Sequence, residues 1–269
     1  TQDGQKEAMG HAGRTGGLPV VGVGWYRLNF EAPSFEKGKQ ATLIFDGAMS
    51  HARVYVNGKE AGYWPYGYNS FHLDVTPYLK AGEVNELAVR LENENESSRW
   101  YPGAGLYRNV HLVVTEDAYV PTWGTKVTTP VVKDKFAKVH LETQWNMPKG
   151  KKISDYTIAT QILNPEGKQV NADTRPGNEL DETLFVQEFV VRNPKLWSVE
   201  YPHLYTAVSK IYEGDRLVDE YTTRFGIRTL EIIPKKGFFL NGKLTKFKGV
   251  CNHHDLGPLG AAVNDAAIR

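Results

Sequence analysis

The chain has 269 residues, 41% hydrophobic and 23% charged, with 32 Lys and Arg against 31 Asp and Glu. That length accommodates two domains, and the composition is that of an ordinary globular protein, not of a disordered or membrane-embedded one. A formal charge of +1 attracts neither nucleic acid nor an anionic membrane surface, and the single Cys251 excludes an intramolecular disulfide and a cysteine-based metal cluster.

Taken in chain order, Thr1 to Gly17 is polar and glycine-rich, without the apolar core of a secretion signal, and no later run approaches the ~20 apolar residues of a membrane span. Short segments that alternate apolar and polar residues between turn formers then predict strands at Trp25 to Phe30, Ala41 to Phe45, Arg53 to Val56 and Glu86 to Leu91. Asn57-Gly58 reads as the hairpin turn between Val56 and the return at Glu60 to Tyr63. Asp74 to Leu79 reads as a short helical turn, with Thr76 as N-cap and Pro77 in the first position. The Tyr63 to Tyr68 aromatic run suits either sugar stacking or sandwich and interface packing. Glu92, Glu94 and Glu96 lack the spacing of a calcium loop and read as a solvated rim.

The run Arg99 to Val110 gathers an arginine fork, the flat rings of Trp100 and Tyr101, and a backbone bent by Pro102, Gly103 and Gly105. Sugars need apolar faces beside hydrogen-bonding groups, so a sugar-facing surface is one reading of this loop. Aromatics that plug the sandwich beneath it are the other. After Val114, Pro121 and Pro130 bracket a change of texture. Strands are predicted at Lys138 to Trp145, Tyr156 to Leu163, Leu184 to Val191, His203 to Tyr212 and Leu217 to Phe225, the pattern of an immunoglobulin-like sandwich of ~100 residues. Beyond Ile232, Phe238 to Lys243 reads as a hairpin, Thr245 to Val250 as a strand and Asn264 to Arg269 as a capped helix start. A parallel strand followed by a crossover helix needs a further strand to return to, so this end is expected to open a larger unit.

Gly24-Trp25-Tyr26-Arg27, Phe45-Asp46-Gly47-Ala48-Met49, Val54-Tyr55-Val56-Asn57-Gly58, Tyr66-Gly67-Tyr68, Asp74 to Leu79, Arg99 to Val110, and Phe247-Lys248-Gly249-Val250 leading into Asn252-His253-His254-Asp255 occur in an order and spacing that resemble glycoside hydrolase family 2. That resemblance implies an all-β chain: a jelly-roll, galactose-binding-like sandwich over residues 1–118, an immunoglobulin-like sandwich over 119–231, and a truncated first βα unit of a TIM barrel over 232–269. It implies the N-terminal part of a retaining exo-β-glycosidase, most similar to a β-galactosidase, with β-glucuronidase or β-mannosidase as other parent specificities. The family's Pro-His-Asp-Trp segment upstream of Trp25 is not found, so the parent is expected to extend on that side too.

Glycoside hydrolysis needs two carboxyl groups across the scissile bond. The resemblance places both catalytic glutamates beyond Arg269, so this part is expected to be inactive alone. It assigns Arg99, Asn252, His253, His254 and Asp255 to the sugar-binding surface, with His253 the best match, His254 equally read as capping a strand end, and Arg99 equally suited to a domain interface. His253 and His254 would point to opposite sides of an extended strand, which disfavours a shared metal. The expected partner is a carbohydrate substrate of the full-length parent, with no cofactor, metal, nucleic acid or membrane, and with a homo-oligomer left open. Family analogy favours a bacterial periplasmic or secreted parent. The competing class is a free-standing carbohydrate-binding or adhesion protein, since sandwiches serve both roles.

Overall fold

Alternating hydrophobicity becomes antiparallel sheet in a computed structural model that describes residues 22–36, 38–93, 105–181, 183–250, 262 and 264–268. Two compact units result, one from Thr1–Val114 with Val250–Arg269 and one from Thr115–Gly249.

The first unit is a jelly-roll sandwich of β1 (Gly22–Glu31), β2 (Gln40–Phe45), β3 (Ala52–Val56), β4 (Lys59–Trp64), β5 (Phe71–Asp74), β6 (Val84–Asn93) and β7 (Val110–Thr115). Strand order is β1-β6-β3-β4 in one sheet and β5-β2-β7 in the other. Period-two burial on β2 and β3 turns Leu43, Phe45, Val54 and Val56 inward, and each such side chain stabilises the fold by about 1.5–3 kcal/mol. Phe71 stacks between Phe45 and Trp64, at centroid distances of 4.7 and 5.5 Å. Trp64 is therefore a core ring, while Tyr66 and Tyr68 stay exposed.

Asn57 and Gly58, at φ +51° and +77°, form the expected hairpin turn, since both central positions of a type I′ turn need the left-handed region. The Asn57 amide also donates to Asn85 Oδ1 at 2.7 Å, and the buried Asn85 in turn bonds the backbone of Lys80 and Glu83. This node pins the turn after β5 to the start of β6. Thr76 departs from its expected role as N-cap. Its hydroxyl accepts the Ala41 amide at 2.9 Å, across to β2, while Asp74 Oδ1 takes the Thr76 amide.

The second unit is an immunoglobulin-like sandwich. It contains β8 (Thr125–Lys133), β9 (Phe136–Gln144), β10 (Tyr156–Leu163), β11 (Gln169–Pro176), β12 (Leu184–Arg192), β13 (Tyr205–Glu213) and β14 (Arg216–Phe225), followed by β15 (Leu230–Ile233), β16 (Gly237–Leu240) and β17 (Lys243–Leu244). Sheets β11-β10-β13-β14 and β12-β9-β8 face each other across Leu141, Ile162, Phe189 and Ile211. A buried polar link joins them, Thr160 donating to Gln187 Oε1 at 2.7 Å beside the Ser209 hydroxyl.

β8 and β11 escape the sequence reading for physical reasons. β8 carries Pro130, tolerated because the strand lies at a sheet edge and its register shifts between Thr128 and Val131. β11 is a polar edge strand, Gln-Val-Asn-Ala-Asp-Thr-Arg-Pro, with no apolar alternation to betray it.

β15, β16 and β17 form a small sheet, and its turn uses Asn241 and Gly242 at φ +51° and +74°. Asn241 fastens it to the sandwich, donating to the Trp197 carbonyl and accepting the Thr229 amide, each at 3.0 Å. Thr245 to Val250, expected as a strand, has no strand assigned, because no neighbouring segment among the described residues supplies a ladder. Asn264 does cap the helical turn Asp265–Ile268, its Oδ1 accepting the amides of Ala266 and Ala267.

Candidate functional site

Gly105, the first described residue of the run that begins at Arg99, pairs with Met49 through two hydrogen bonds of 3.0 Å. Only glycine suits this position: its φ is +113°, and an added Cβ would lie 2.3 Å from the Tyr26 hydroxyl. The chain then reaches Tyr107, whose hydroxyl donates to the Gly67 carbonyl at 2.7 Å. The Tyr107 ring occupies the space that a side chain at Gly47 would fill, since a Cβ there would meet the ring at 2.5 Å. Burial pushes the Tyr107 phenol above its ordinary pKa, so at neutral pH it remains a neutral donor.

Asp46 is the other anchor. Its amide donates to the Asn109 carbonyl at 3.0 Å, its own carbonyl accepts the Ser70 hydroxyl at 3.0 Å, and its carboxylate meets His111 Nε2 at 3.2 Å. Met49, Gly67, Tyr107 and Asp46 thus lock the strand-side base of the loop, and the half-exposed rings of Tyr66 and Tyr68 stand beside it, 5.5 Å apart. His51 Nδ1 lies 2.8 Å from the Tyr63 hydroxyl. The packing reading of the loop therefore holds for Tyr107, and exposed aromatic faces suited to sugar stacking remain at Tyr66 and Tyr68.

Across the outer face of the larger sheet, Trp25, Arg90, Arg53 and Tyr63 lie in one cross-strand row. Its arginines are paired, Arg53 with Glu60 at 3.0 Å and Arg90 with Glu92 at 2.9 Å. The hydrogen bond from Arg90 holds the Glu92 carboxyl below its ordinary range, which makes it a fixed anion and a poor proton donor. In the second unit, burial pushes Asp219 above the ordinary aspartate range, and its carboxylate accepts the Val120 amide at 2.8 Å, a structural task. Among the described residues, no three His, Cys, Asp or Glu side chains gather to hold a metal ion. This surface is built to position and to stack, and the Glu60 and Glu92 carboxylates on it are ion-paired.

Arg99, Asn252, His253, His254 and Asp255 all lie outside the described residues. The sequence reading missed the Tyr107–Gly47 and Asp46–His111 pairings, because nothing in the spacing of these residues reveals that β2 and β7 are neighbours.

The family model for "Glycosyl hydrolases family 2, sugar binding domain" matches residues 18–116, and that for "Glycosyl hydrolases family 2" matches residues 119–228. Beta-galactosidase BoGH2A of Bacteroides ovatus is 44% identical over 262 residues, which cover 96% of this chain and 31% of that protein. A beta-glucuronidase of Formosa agariphila is 30% identical over 85% of this chain and 26% of its own length. Among solved structures, a glycosyl hydrolase family 2 member from Bacteroides cellulosilyticus superposes with a TM-score of 0.87 at 35% identity, covering 98% of this chain and 35% of that one. The chain spans between about a quarter and a third of the length of these relatives.

Proposed function

Because the chain belongs to glycosyl hydrolase family 2, we propose that it supplies the β-sandwich part of a retaining exo-β-glycosidase, a β-galactosidase foremost, whose catalytic carboxyls reside elsewhere in a longer polypeptide. The observation that carries this reading is the 44% identity to a β-galactosidase over 96% of the chain at only 31% of that protein's length. In this reading residues 1–118 are the sugar-binding-type sandwich, 119–231 the immunoglobulin-like sandwich and 232–269 the opening of a catalytic barrel.

The chemistry of the described surface supports a positioning role. Retaining hydrolysis needs one carboxyl that donates a proton and a second that attacks, about 5–5.5 Å apart. Glu92 is held as an ion-paired carboxylate by Arg90, and Glu60 and Glu86 pair with Arg53 and Arg27. The part this chain plays is to anchor the base of the 99–110 loop through Gly105, Tyr107 and Asp46, so that Arg99 is presented to the sugar with Asn252, His253, His254 and Asp255. A sugar-binding group placed in this way contributes orientation, and binding energy from such remote contacts lowers the barrier at the reacting centre.

A β-glucuronidase is the second reading, favoured by the identity to the Formosa agariphila enzyme. Two assays test the proposal. The 269-residue chain is expected to leave aryl β-galactosides intact, and turnover that vanishes on mutating one of its own carboxylates would overturn the division of labour. In the longer polypeptide, Arg99→Ala is expected to lower kcat/KM by about tenfold or more, the loss of one charge-assisted hydrogen bond. An unchanged kcat/KM removes Arg99 from the sugar surface.

A further inference from the structure

Trp25 on β1, Arg90 on β6, Arg53 on β3 and Tyr63 on β4 are successive cross-strand partners, and partners in register share a face of the sheet. Two residues further along the strands, Arg27, Ala88 and Tyr55 form the next row on that face. Trp25 and Tyr63 are 49% and 42% exposed. They stand three strand spacings apart, about 14 Å. The Tyr55 ring lies 5.7 Å from that of Trp25. Ala88, between Arg27 and Tyr55, is buried, so the rings and guanidinium groups around it form the surface.

The rings are braced. The Arg27 guanidinium sits 5.5 Å from the centre of the Trp25 ring and that of Arg53 4.7 Å from Tyr63, and the Tyr63 hydroxyl is held by His51 Nδ1. Side chains fixed in this way lose little freedom when a ligand arrives. Each arginine on the face has its own carboxylate, Arg27 with Glu86 at 3.1 Å, Arg53 with Glu60 at 3.0 Å and Arg90 with Glu92 at 2.9 Å. These charges cancel in pairs, so the face draws neither a polyanion nor a polycation. Charged pairs set among the rings also suit the core of a protein interface poorly, because such cores are depleted in charge and the pairs would be costly to dry. A neutral sugar chain meets both demands. Its C–H faces cover the rings, and its hydroxyls hydrogen-bond the carboxylate and guanidinium heads while the surface stays wet.

We infer that the outer face of β1-β6-β3-β4 is a binding platform for a neutral, β-linked glycan chain, laid across the strands from Trp25 to Tyr63. β linkages between equatorial positions make a flat ribbon whose successive C–H faces can rest on successive rings. None of these residues belongs to the 99–110 loop or to 252–255, to which the terminal sugar is assigned above, so the platform takes the body of a polymer and not its end. β6 leads from this face through Glu92 into that loop, and Glu92 is tied to Ser50 by bonds of 2.7 and 2.8 Å. The neighbouring Met49 holds the loop's other foot at Gly105. A glycan held on the face therefore lies beside the base of the loop. The inference rests on the β-glycosidase reading for the choice of β linkage only.

The test is a titration of the 269-residue chain with cellohexaose, mannohexaose and hexamannuronate, followed by the indole N–H resonances in NMR spectra. A neutral hexasaccharide is expected to bind saturably at about 1 mM or tighter, shifting the Trp25 indole resonance and leaving that of Trp123, an exposed ring of the second unit, in place. Trp25→Ala and Tyr63→Ala are each expected to weaken binding by on the order of tenfold, the loss of an aromatic anchor, and Trp25→Phe to restore most of it. Should an alanine variant misfold, the resonances of the unaltered chain still decide the matter. No saturable binding of either neutral sugar, or an unmoved Trp25 resonance, overturns the inference. So does tighter binding of hexamannuronate than of mannohexaose, which would make the face a polyanion site. Self-association in sedimentation that Trp25→Ala abolishes would assign the face to a second copy and overturn it as well. Hydrolysis of p-nitrophenyl β-galactoside by the longer polypeptide separates the two claims: glycan binding without hydrolysis keeps the platform and removes the proposed activity, and hydrolysis without glycan binding does the reverse.

Discussion

Gly47→Ala is expected to unseat the loop base of the first sandwich through one contact. The new Cβ would lie 2.5 Å from Cζ, 2.7 Å from the hydroxyl oxygen and 2.9 Å from Cε1 of Tyr107, all well inside van der Waals contact. The ring has to tilt away, and its 2.7 Å bond to the Gly67 carbonyl goes with it. Gly67 cannot follow, because Met49 packs against it where its own Cβ would sit 2.7 Å away. Overpacking of about 1–3 kcal/mol plus about 1 kcal/mol for the lost hydrogen bond gives about 2–4 kcal/mol. Hydrogen exchange of the β2 and β7 amides reads this loss within the first unit alone, which matters because two units need not unfold together. In a Tyr107→Ala background the space is already empty, and Gly47→Ala is then expected to cost less than about 0.5 kcal/mol. The same loss in both backgrounds, or none in either, would refute the reasoning.

Three further outcomes are expected. Asn85→Ala takes the partner of the Lys80 amide and the donor to the Lys80 and Glu83 carbonyls from a buried site, and should lower the first unit's stability by about 3 kcal/mol by the same exchange measurement. The Tyr156 phenol, 1% exposed and without a hydrogen-bond partner among the described residues, is pushed up to about 12 by burial. Its unfolded value is near 10, so the stability it supports is intact below pH 10 and falls by about 2 kcal/mol as the pH rises to 12. Denaturant titrations at pH 9 and 11.5 should show most of that drop, and Tyr156→Phe should reduce it, leaving the smaller share of the buried Tyr205 phenol. The Glu213 carboxyl is held below its ordinary range by Lys151 and Arg216. It therefore stabilises the second unit above the ordinary carboxylate pKa and loses that effect as the pH falls through its lowered value. Glu213→Gln should flatten the acid limb of the stability profile.

The strands legible in the sequence were those whose burial is one-sided. β12 alternates exposed and buried residues along its whole length, and β10 was bounded correctly at Tyr156–Leu163. β8 and β11 were not legible, since β11 is polar along its length and Pro130 falls inside β8 where its register shifts. The turns at Asn57-Gly58 and Asn241-Gly242 were visible because left-handed backbone leaves few choices of residue. Thr76 was misread because a hydroxyl with a partner on another strand looks, in sequence, like one that caps its own turn. The surface around Asp46 and Tyr107 depends on long-range neighbours, so only the motifs that contain these residues were visible, and not their contacts.

The division of labour and the sugar specificity meet in one measurement, kcat/KM of the longer polypeptide for p-nitrophenyl β-galactoside and p-nitrophenyl β-glucuronide under the same conditions. A preference for the galactoside by at least about tenfold is expected, the scale on which a few pocket contacts discriminate between sugars. A preference for the glucuronide would move the protein to the second reading, and turnover of neither would contradict both readings.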